Sequence, residues 1–572
     1  MAKAGKSKAI TKNAALGLSM GLYDPGMTPW FRAGLGGLAA SVYAMAQEQD
    51  PRAPWPRAIA MGPGRVLVEA ERVCIDFGGG DPGEVLRALF EQSFRLDGHG
   101  LIVMPGAYDE KLRNQPEMLV ELQSALRASM LNHPTFVRQM GDTGQRVDRS
   151  LSDEDKKAQK AAKKAAIAAS RGRLSFSIDD RPFSVAVSGL SSFAHRDAHV
   201  EIGEAIAKGQ GTLQLSSWAY PGATKKHIAF NETELEYTPA QAICACFALV
   251  GVLVYPTRQG GAIVVPEPLD LLAFAELRAG LTPRRLDALC ITGLGDAVLS
   301  MESALRMRAL EHKRYGESIG RVHGILIGKV AWDANRKVRV GTLTAEHFSK
   351  EVLALYDGIC RTLASTIRPV QKEDKNALRD YYVTRSALRA FVTQNIAQGQ
   401  KWYKDFARAT DGEDKPRYIH YFREKDNKGA LYPSERKGLI EMTKHLSEAE
   451  GILVESVHVA LKHRFGAIAE ESKDNPVAMR NRFQGERDKW RIAFSGSKTP
   501  DQIRGALADL FSRGGSNRVL RGHWKEVLPL LSDPLHWQLT RDLALVALAS
   551  YQGDGASHEE ADAVEDNSKA NS

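Results

Sequence analysis

The chain has 572 residues, 43% of them hydrophobic and 26% charged, with a formal net charge of +8 and a pI near 9.0. That length allows two to four domains with a large core, and the composition is that of an ordinary soluble protein. The five cysteines are scattered, odd in number and without metal-ligand spacing, which excludes a disulfide framework. The mildly basic balance points to an acidic partner, although a basic enzyme carries the same charge. The start, MAKAGKSKAITKNAA, is basic without an apolar core behind it, so no signal peptide is expected. The longest apolar run, Ala242 to Tyr255, falls short of the ~20 residues a bilayer span needs. A cytoplasmic protein is expected.

Residues 1–21 read as a flexible basic leader. The first helix has both ends written into the sequence: Thr28 is a natural N-cap, Pro29 sits at the first helical position, and Asp50-Pro51 stops the run. Phe31, Leu35, Leu38, Val42 and Met45 make one apolar face. Gly34, Gly37, Ala40 and Ser41 make a second, nearly bare one. Each helical glycine costs about 1 kcal/mol relative to alanine, so Gly34, Gly36 and Gly37 need a reason. Either another backbone packs against them, or nucleic acid or a partner approaches.

The helix opens an N-terminal α/β domain, 22–150. Its strands are predicted at Arg65–Glu69, Arg72–Phe77 and Leu101–Met104, and its helices at Glu84–Phe94 and Pro116–Leu131. Residues 151–172 read as a Lys/Ala-rich helical linker, with a flexible basic arm as the alternative, and Asp153, Glu154 and Asp155 stand at the end where the helix dipole favours them. A β-rich domain with helices follows, 173–345. It holds a hairpin of Arg173–Ile178 and Pro182–Val187, a strand at Thr212–Trp218, and a helix from Thr238-Pro239 to Gly251. Strands Val252–Tyr255 and Ala262–Val265 bracket a polar turn. Asp270 and Thr282 are the candidate N-caps of the next two helices, and strands Gly320–Val330 and Val338–Leu343 surround a turn at Asp333–Lys337. Residues 346–438 read as a helical connecting region. A C-terminal bundle, 439–551, begins with one long helix from Leu439 to Glu471, and later helices open at Asn475-Pro476, Thr499-Pro500, Ser516 and Asp533-Pro534. Residues 552–572 read as an acidic disordered tail. The fold class is α+β: a mixed α/β part with hairpins, then an all-α bundle.

No catalytic motif emerges. Gly78–Gly83 lies between a strand and a helix but lacks both the P-loop Lys-Ser/Thr pair and dinucleotide-fold spacing, so it reads as a tight turn. Gly34–Gly37 follows no strand. H-E-x-x-H, G-x-S-x-G and C-x-x-C are all missing. His195 and His199, with Asp197 between them, are too few for a convincing metal site and read as structural or solvated. No catalytic residue, metal or cofactor is expected.

Nucleic-acid binding fares better. The bundle carries Arg480, Arg482, Arg487, Lys489, Arg491, Arg504, Arg513, Arg518, Arg521 and Lys525, interleaved with Trp490, Trp524 and Trp537. Of these, Arg480, Arg487, Arg491, Arg504, Arg518 and Arg521 are the candidates for phosphate-backbone contacts. A solvated basic face is the plainer alternative, and tryptophans are more often core than stacking platforms. Lys225, Lys226 and His227 sit in a loop after Pro221-Gly222. Arg258 and Gln259 cap a hairpin between apolar strands, and in a groove Arg reads guanine and Gln adenine. These five are the candidate base readers.

Four ordered segments, together with the helical C-terminus, resemble the large subunit of a type I CRISPR Cascade complex, the Cas-eight family, nearest its MYXAN-subtype branch. They are Leu22–Leu38 (LYDPGMTPWFRAGLGGL), Gly100–Pro105, Trp218–His227 (WAYPGATKKH) and Ala262–Arg278 (AIVVPEPLDLLAFAELR). The resemblance implies a non-enzymatic protein near the 5′ handle of the guide RNA. Such a protein recognises a short motif flanking the target in double-stranded DNA and helps open the duplex. Its implied partners are the guide RNA, the target duplex with its displaced strand, the backbone and handle-binding Cascade subunits, and a helicase–nuclease; a membrane is not among them. The bundle is similar to the family's small subunit, which in some related systems is also made from an internal start; Met442 is the candidate start here. Two other classes stay open: a regulatory or structural protein using the same fold, and a nucleotide-binding enzyme using a Gly-rich loop.

Overall fold

The computed structural model describes residues 17–52, 54–131, 136–142, 152–178, 180–214, 236–258, 260–330, 333–370, 379–412, 416–421 and 433–552. The fold is α+β and divides into two compact units. The first comprises Met1–Phe348 with Ser365–Thr384, the second Ser349–Ala364 with Arg385–Ser572.

The first unit contains two four-stranded antiparallel sheets. One is formed by Gly17–Gly21, Arg72–Asp76, Gly64–Val68 and Ala58–Met61, in that spatial order. The other is a meander of Leu253–Pro256, Gly260–Pro268, Ile319–Val330 and Asp333–Ala345. Its second strand is buried along most of its length, as a strand covered on both faces must be. Asp333–Lys337, expected as a turn, instead continues the last strand.

The first helix is Pro29–Gln49, and the Thr28 hydroxyl accepts from the Phe31 N–H at 3.4 Å, as a cap should. It packs on helix Pro239–Gly251, which opens with a Thr238/Gln241 capping box. The glycines explain how closely. A Cβ placed on Gly34 would lie 1.8 Å from the Cys244 carbonyl oxygen, and one on Gly251 1.8 Å from the Ala33 carbonyl oxygen. Gly37 faces the Phe247 carbonyl. On other sides Gly36 meets Phe274 and Pro268, and Gly106 comes in against Ala40 and Ser41. The bare face is therefore consumed inside the unit, backbone against backbone.

Arg278 is fully buried near the end of helix Leu271–Leu281. Its guanidinium donates to the carbonyls of Gly251 (3.1 Å) and Val252 (2.5 Å) and to the Thr282 hydroxyl (2.9 Å), which in turn donates to the Ala107 carbonyl. A cation is thus placed at the C-terminus of Pro239–Gly251, where the helix dipole favours it. Burial lowers its pKa to about 10, so it stays charged at neutral pH. Thr282, expected as an N-cap, is this arginine's partner and closes Leu271–Leu281 instead; the next helix starts at Leu286 behind Arg285.

The region after His347 is not purely helical. Thr366–Pro369 and Tyr381–Thr384 form a hairpin in the first unit. Buried Glu121 accepts from the Tyr381 hydroxyl at 2.6 Å and from Arg379, while Asp380 accepts from the Ser184 N–H at 2.8 Å. Strands of four residues carry too little periodicity to be read ahead.

The second unit is helical. The expected long helix is two, Pro433–Thr443 and Glu448–Glu471, because Ser447 and Glu450 form a capping box that starts the chain afresh. Pro476–Gly496, Pro500–Arg513, Arg518–Gly522 and Trp524–Ser532 follow. The last helix begins at Trp537 rather than at Pro534, with Asp533 accepting from the Leu535 N–H in a turn ahead of it. This helix, Trp537–Ser550, is buried throughout from Thr540 to Ser550 and packs against Pro433–Thr443, Glu448–Glu471 and Pro476–Gly496. Its Asp542 accepts from the backbone N–H groups of Asp405 (2.6 Å) and Ala407 (3.1 Å) and pairs with Arg541.

Candidate nucleic-acid interface

Arg258 is exposed at the tip of the hairpin joining Leu253–Pro256 to Gly260–Pro268. The turn is closed by Thr257, whose N–H donates to the Gly260 carbonyl and whose hydroxyl accepts from the Gly260 N–H, both at 3.1 Å. The strands behind it are core strands. Lys225, Lys226, His227 and Gln259 lie outside the described residues.

Five of the six backbone candidates fall into two groups in the second unit, and the sixth, Arg504, stands on helix Pro500–Arg513. Arg480, Arg487 and Arg491 stand on Pro476–Gly496, which packs on Trp537–Ser550 and Pro500–Arg513. Arg518 and Arg521, with Lys525 just beyond, stand on Arg518–Gly522 and Trp524–Ser532, which pack on Glu448–Glu471. Their availability differs. Arg491 pairs with Asp488 (3.2 Å) and lies 4.1 Å above the Tyr421 ring. Arg504 pairs with Asp501, and Arg487 lies over Phe465 at 5.6 Å. Arg480 and Arg518 are exposed, and Arg521 donates to the neutral Ser516 hydroxyl at 2.9 Å. Among the described residues none of these last three meets a carboxylate.

The tryptophans also divide. Trp490 is 1% exposed and donates its indole N–H to Glu486 at 2.9 Å. Burial pushes the Glu486 carboxyl up, but the hydrogen bonds from Arg464 and Trp490 outweigh it and hold the group below the usual range. Trp490 is therefore core. Trp524 is 45% exposed beside Arg521. Nothing in the sequence separates these two tryptophans; only the packing does.

The Lys/Ala-rich helix, read from the sequence as a linker or a basic arm, carries a second basic surface. Helix Asp153–Ala169 buries no residue, yet Lys163 pairs with Asp142 at 2.8 Å and Ser170 donates to the Met140 carbonyl at 2.6 Å. Lys157, Lys160 and Lys164 are left exposed at helical spacing.

The rival chemical sites do not assemble. At Gly78–Gly83, Asp76 accepts from the Gly78 N–H and Asp81 caps helix Pro82–Ser93, while Gly83 abuts Gly203 so closely that a Cβ there would lie 2.8 Å from its Cα. The loop is exposed at Gly78 and Gly79, but its Gly78 and Gly83 N–H groups are already taken by the carboxylates of Asp76 and Asp81, which does not suit a phosphate. His195 is fully buried, and desolvation lowers its pKa to about 3. His199 packs its ring on Phe90 and lies 2.9 Å from the Arg196 carbonyl. Among the described residues no cluster of three or more metal-ligating side chains occurs, and no helix is long and apolar enough to cross a membrane.

Comparison with known proteins settles the family. A family model described as the DevT N-terminal domain matches residues 19–169 and 157–246, and one described as the DevT C-terminal domain matches 441–572. The chain is also 42% identical over 543 residues to the CRISPR-associated protein Cas8a1/Csx13 of Myxococcus xanthus strain DK1622, covering 94% of this chain and 89% of that protein. The chain belongs to the Cas8a1/Csx13 family. It is a CRISPR-associated large subunit, a component of an effector complex with other Cas proteins. The family resemblance drawn from the four ordered segments is thereby established. For a Cas8a1/Csx13 large subunit the glycine helix is a packing element of the first unit.

Proposed function

We propose that this large subunit acts without catalysis: it binds the guide RNA complex and the target double-stranded DNA in the cytoplasm, recognises a short flanking motif, helps open the duplex and recruits a helicase–nuclease. The near full-length identity to a Cas8a1/Csx13 protein carries this reading. The exposed cations of the second unit support it, because phosphate neutralisation is the main source of sequence-independent affinity. Arg258, at its exposed hairpin tip, is the proposed base reader together with Gln259, Lys225, Lys226 and His227. Arg480, Arg518 and Arg521 are the proposed phosphate contacts. Arg487, Arg491 and Arg504 belong to the same set but are partly engaged by their neighbours.

Co-purification is the test. The tagged protein should bring down RNA and several Cas subunits; recovery without either overturns the reading. Within the complex, replacing Arg480, Arg487, Arg518 and Arg521 together should weaken duplex binding uniformly across sequences and flatten the salt dependence by up to about 0.9 per lost phosphate contact. Arg258→Ala should instead lower the preference for one flanking sequence. The C-terminal family match begins at residue 441, one residue before Met442. Expression of the native gene should give a second, short C-terminal product, and Met442→Ala should remove it.

A further inference from the structure

We propose that the cleft beside Trp524 holds one unstacked base of a single-stranded nucleic acid, with Arg521 on its phosphate. This rests on the reading of the second unit as a nucleic-acid surface and names the ligand class of one site on it.

The cleft has a volume of about 370 Å³, within the roughly 300–1,000 Å³ of small-ligand sites. Phe511, Leu520 and Trp524 supply its apolar wall; Ser516, Asn517 and Arg521 supply its polar one. In this unit Trp402 and Trp490 are 4% and 1% exposed, whereas Trp524 is 45% exposed. A half-exposed indole lining a cleft offers a surface that a flat apolar ring covers well.

The charges select which ring. Arg521 is exposed and donates only to a neutral hydroxyl, and exposed Arg518 and Lys525 flank it in sequence. No carboxylate lines the cleft; the nearest in sequence, Glu526, pairs with His523 at 3.9 Å. A ring that carries an anion fits, and a nucleotide is one. Bases in a duplex are already stacked on each other, so only a single strand can offer one.

Asn517 makes the site tolerant of sequence. Its side-chain oxygen accepts from the Leu520 N–H at 3.0 Å and its amide donates to the Ser456 carbonyl at 2.7 Å. It shapes the wall and has little left with which to read a base edge. Gly515, at φ +71° with open space where a Cβ would be, leaves the mouth bare for a passing backbone.

The test uses the full-length chain, with fluorescein-labelled 15-nucleotide oligo-dU and oligo-U and a duplex of equal length as probes. Trp524→Ala should lower single-strand affinity about 5- to 100-fold with an unchanged salt slope, and leave duplex affinity within about twofold. Trp524→Phe should retain most of the affinity while abolishing the tryptophan quench that binding produces. Arg521→Ala should reduce the salt slope by about one phosphate contact. The tighter of the two single strands identifies the sugar. If Trp524→Ala binds single strands as the wild type does, the cleft is not a base site, and the basic-surface reading stands. If the wild type binds neither single strand nor duplex, that reading falls and the cleft with it.

Discussion

Gly34→Ala tests the central packing of the first unit. In an isolated helix the change should stabilise by about 1 kcal/mol. Here the new Cβ would sit 1.8 Å from the Cys244 carbonyl oxygen and 2.6 Å from its carbon, where ordinary contact begins near 3.4 Å. The obstacle is backbone of a buried helix and cannot rotate away. Relief requires Pro29–Gln49 and Pro239–Gly251 to separate by over an ångström, along a seam that Gly37 and Gly251 also hold closed. Overpacking costs about 1–3 kcal/mol, occasionally more, and the upper end applies, so a net loss of about 2 kcal/mol is expected after the propensity gain. Gly505→Ala is the matched control: it lies in helix Pro500–Arg513 with nothing within 4 Å of the added Cβ, and it should gain up to about 1 kcal/mol. Hydrogen exchange of the Pro29–Gln49 amides, read beside thermal melting, reports the first unit alone. Faster exchange in Gly34→Ala with a lowered melting temperature is the expected result. If Gly34→Ala is as protected as the wild type, the close-packing argument is wrong.

Arg278→Met should cost about 3 kcal/mol or more, because it strips the donors from two buried carbonyls and a hydroxyl. Arg278→Lys should recover little, since one ammonium cannot reproduce the fork; thermal melting of both variants checks this. Glu435 is buried against the Ser386 hydroxyl, and burial pushes its carboxyl up to about 7. An acid with a raised folded pKa stabilises the fold below its unfolded value and loses that contribution as pH climbs through about 7. Glu435→Gln should therefore match the wild type at pH 5 and exceed it at pH 8, by at most about 3 kcal/mol; equal melting curves at both pH values would refute the shift. Arg491→Ala should lower thermal stability through its lost Tyr421 and Asp488 contacts while reducing the salt slope of DNA binding by less than Arg518→Ala does, because those neighbours already engage it.

What could be read ahead followed from strong local chemistry. Thr28-Pro29, Thr238-Pro239 and Asp270 announce their helices because a capping side chain and a proline at the first turn act within a few residues. The glycine face was legible as a demand for close approach, and its partner was not, since Gly251 lies more than two hundred residues away. Thr282 misleads because a buried arginine four residues earlier recruits its hydroxyl. The Arg379–Tyr381 hairpin is held by Glu121, a contact no local window contains. At the candidate interface the arginines were legible as charge, but which of them a carboxylate or an aromatic ring engages depends on turns such as Asp488 to Arg491 and on Tyr421, far along the chain. Trp490 and Trp524 look alike in sequence and differ only in what covers them.

The amide grip on Asp542 bears on how a shorter translation product could exist. A chain initiated at Met442 would keep every helix from Glu448 onward but leave behind the segment carrying Asp405 and Ala407. Asp542 would then lose both backbone donors, and helix Trp537–Ser550 would lose the cover of Pro433–Thr443. An orphaned carboxylate beside a stripped apolar flank makes poor solitary material. Such a product would be dependable only where a neighbouring subunit supplies replacement donors and a matching apolar surface, so its accumulation in the cell would report assembly rather than synthesis.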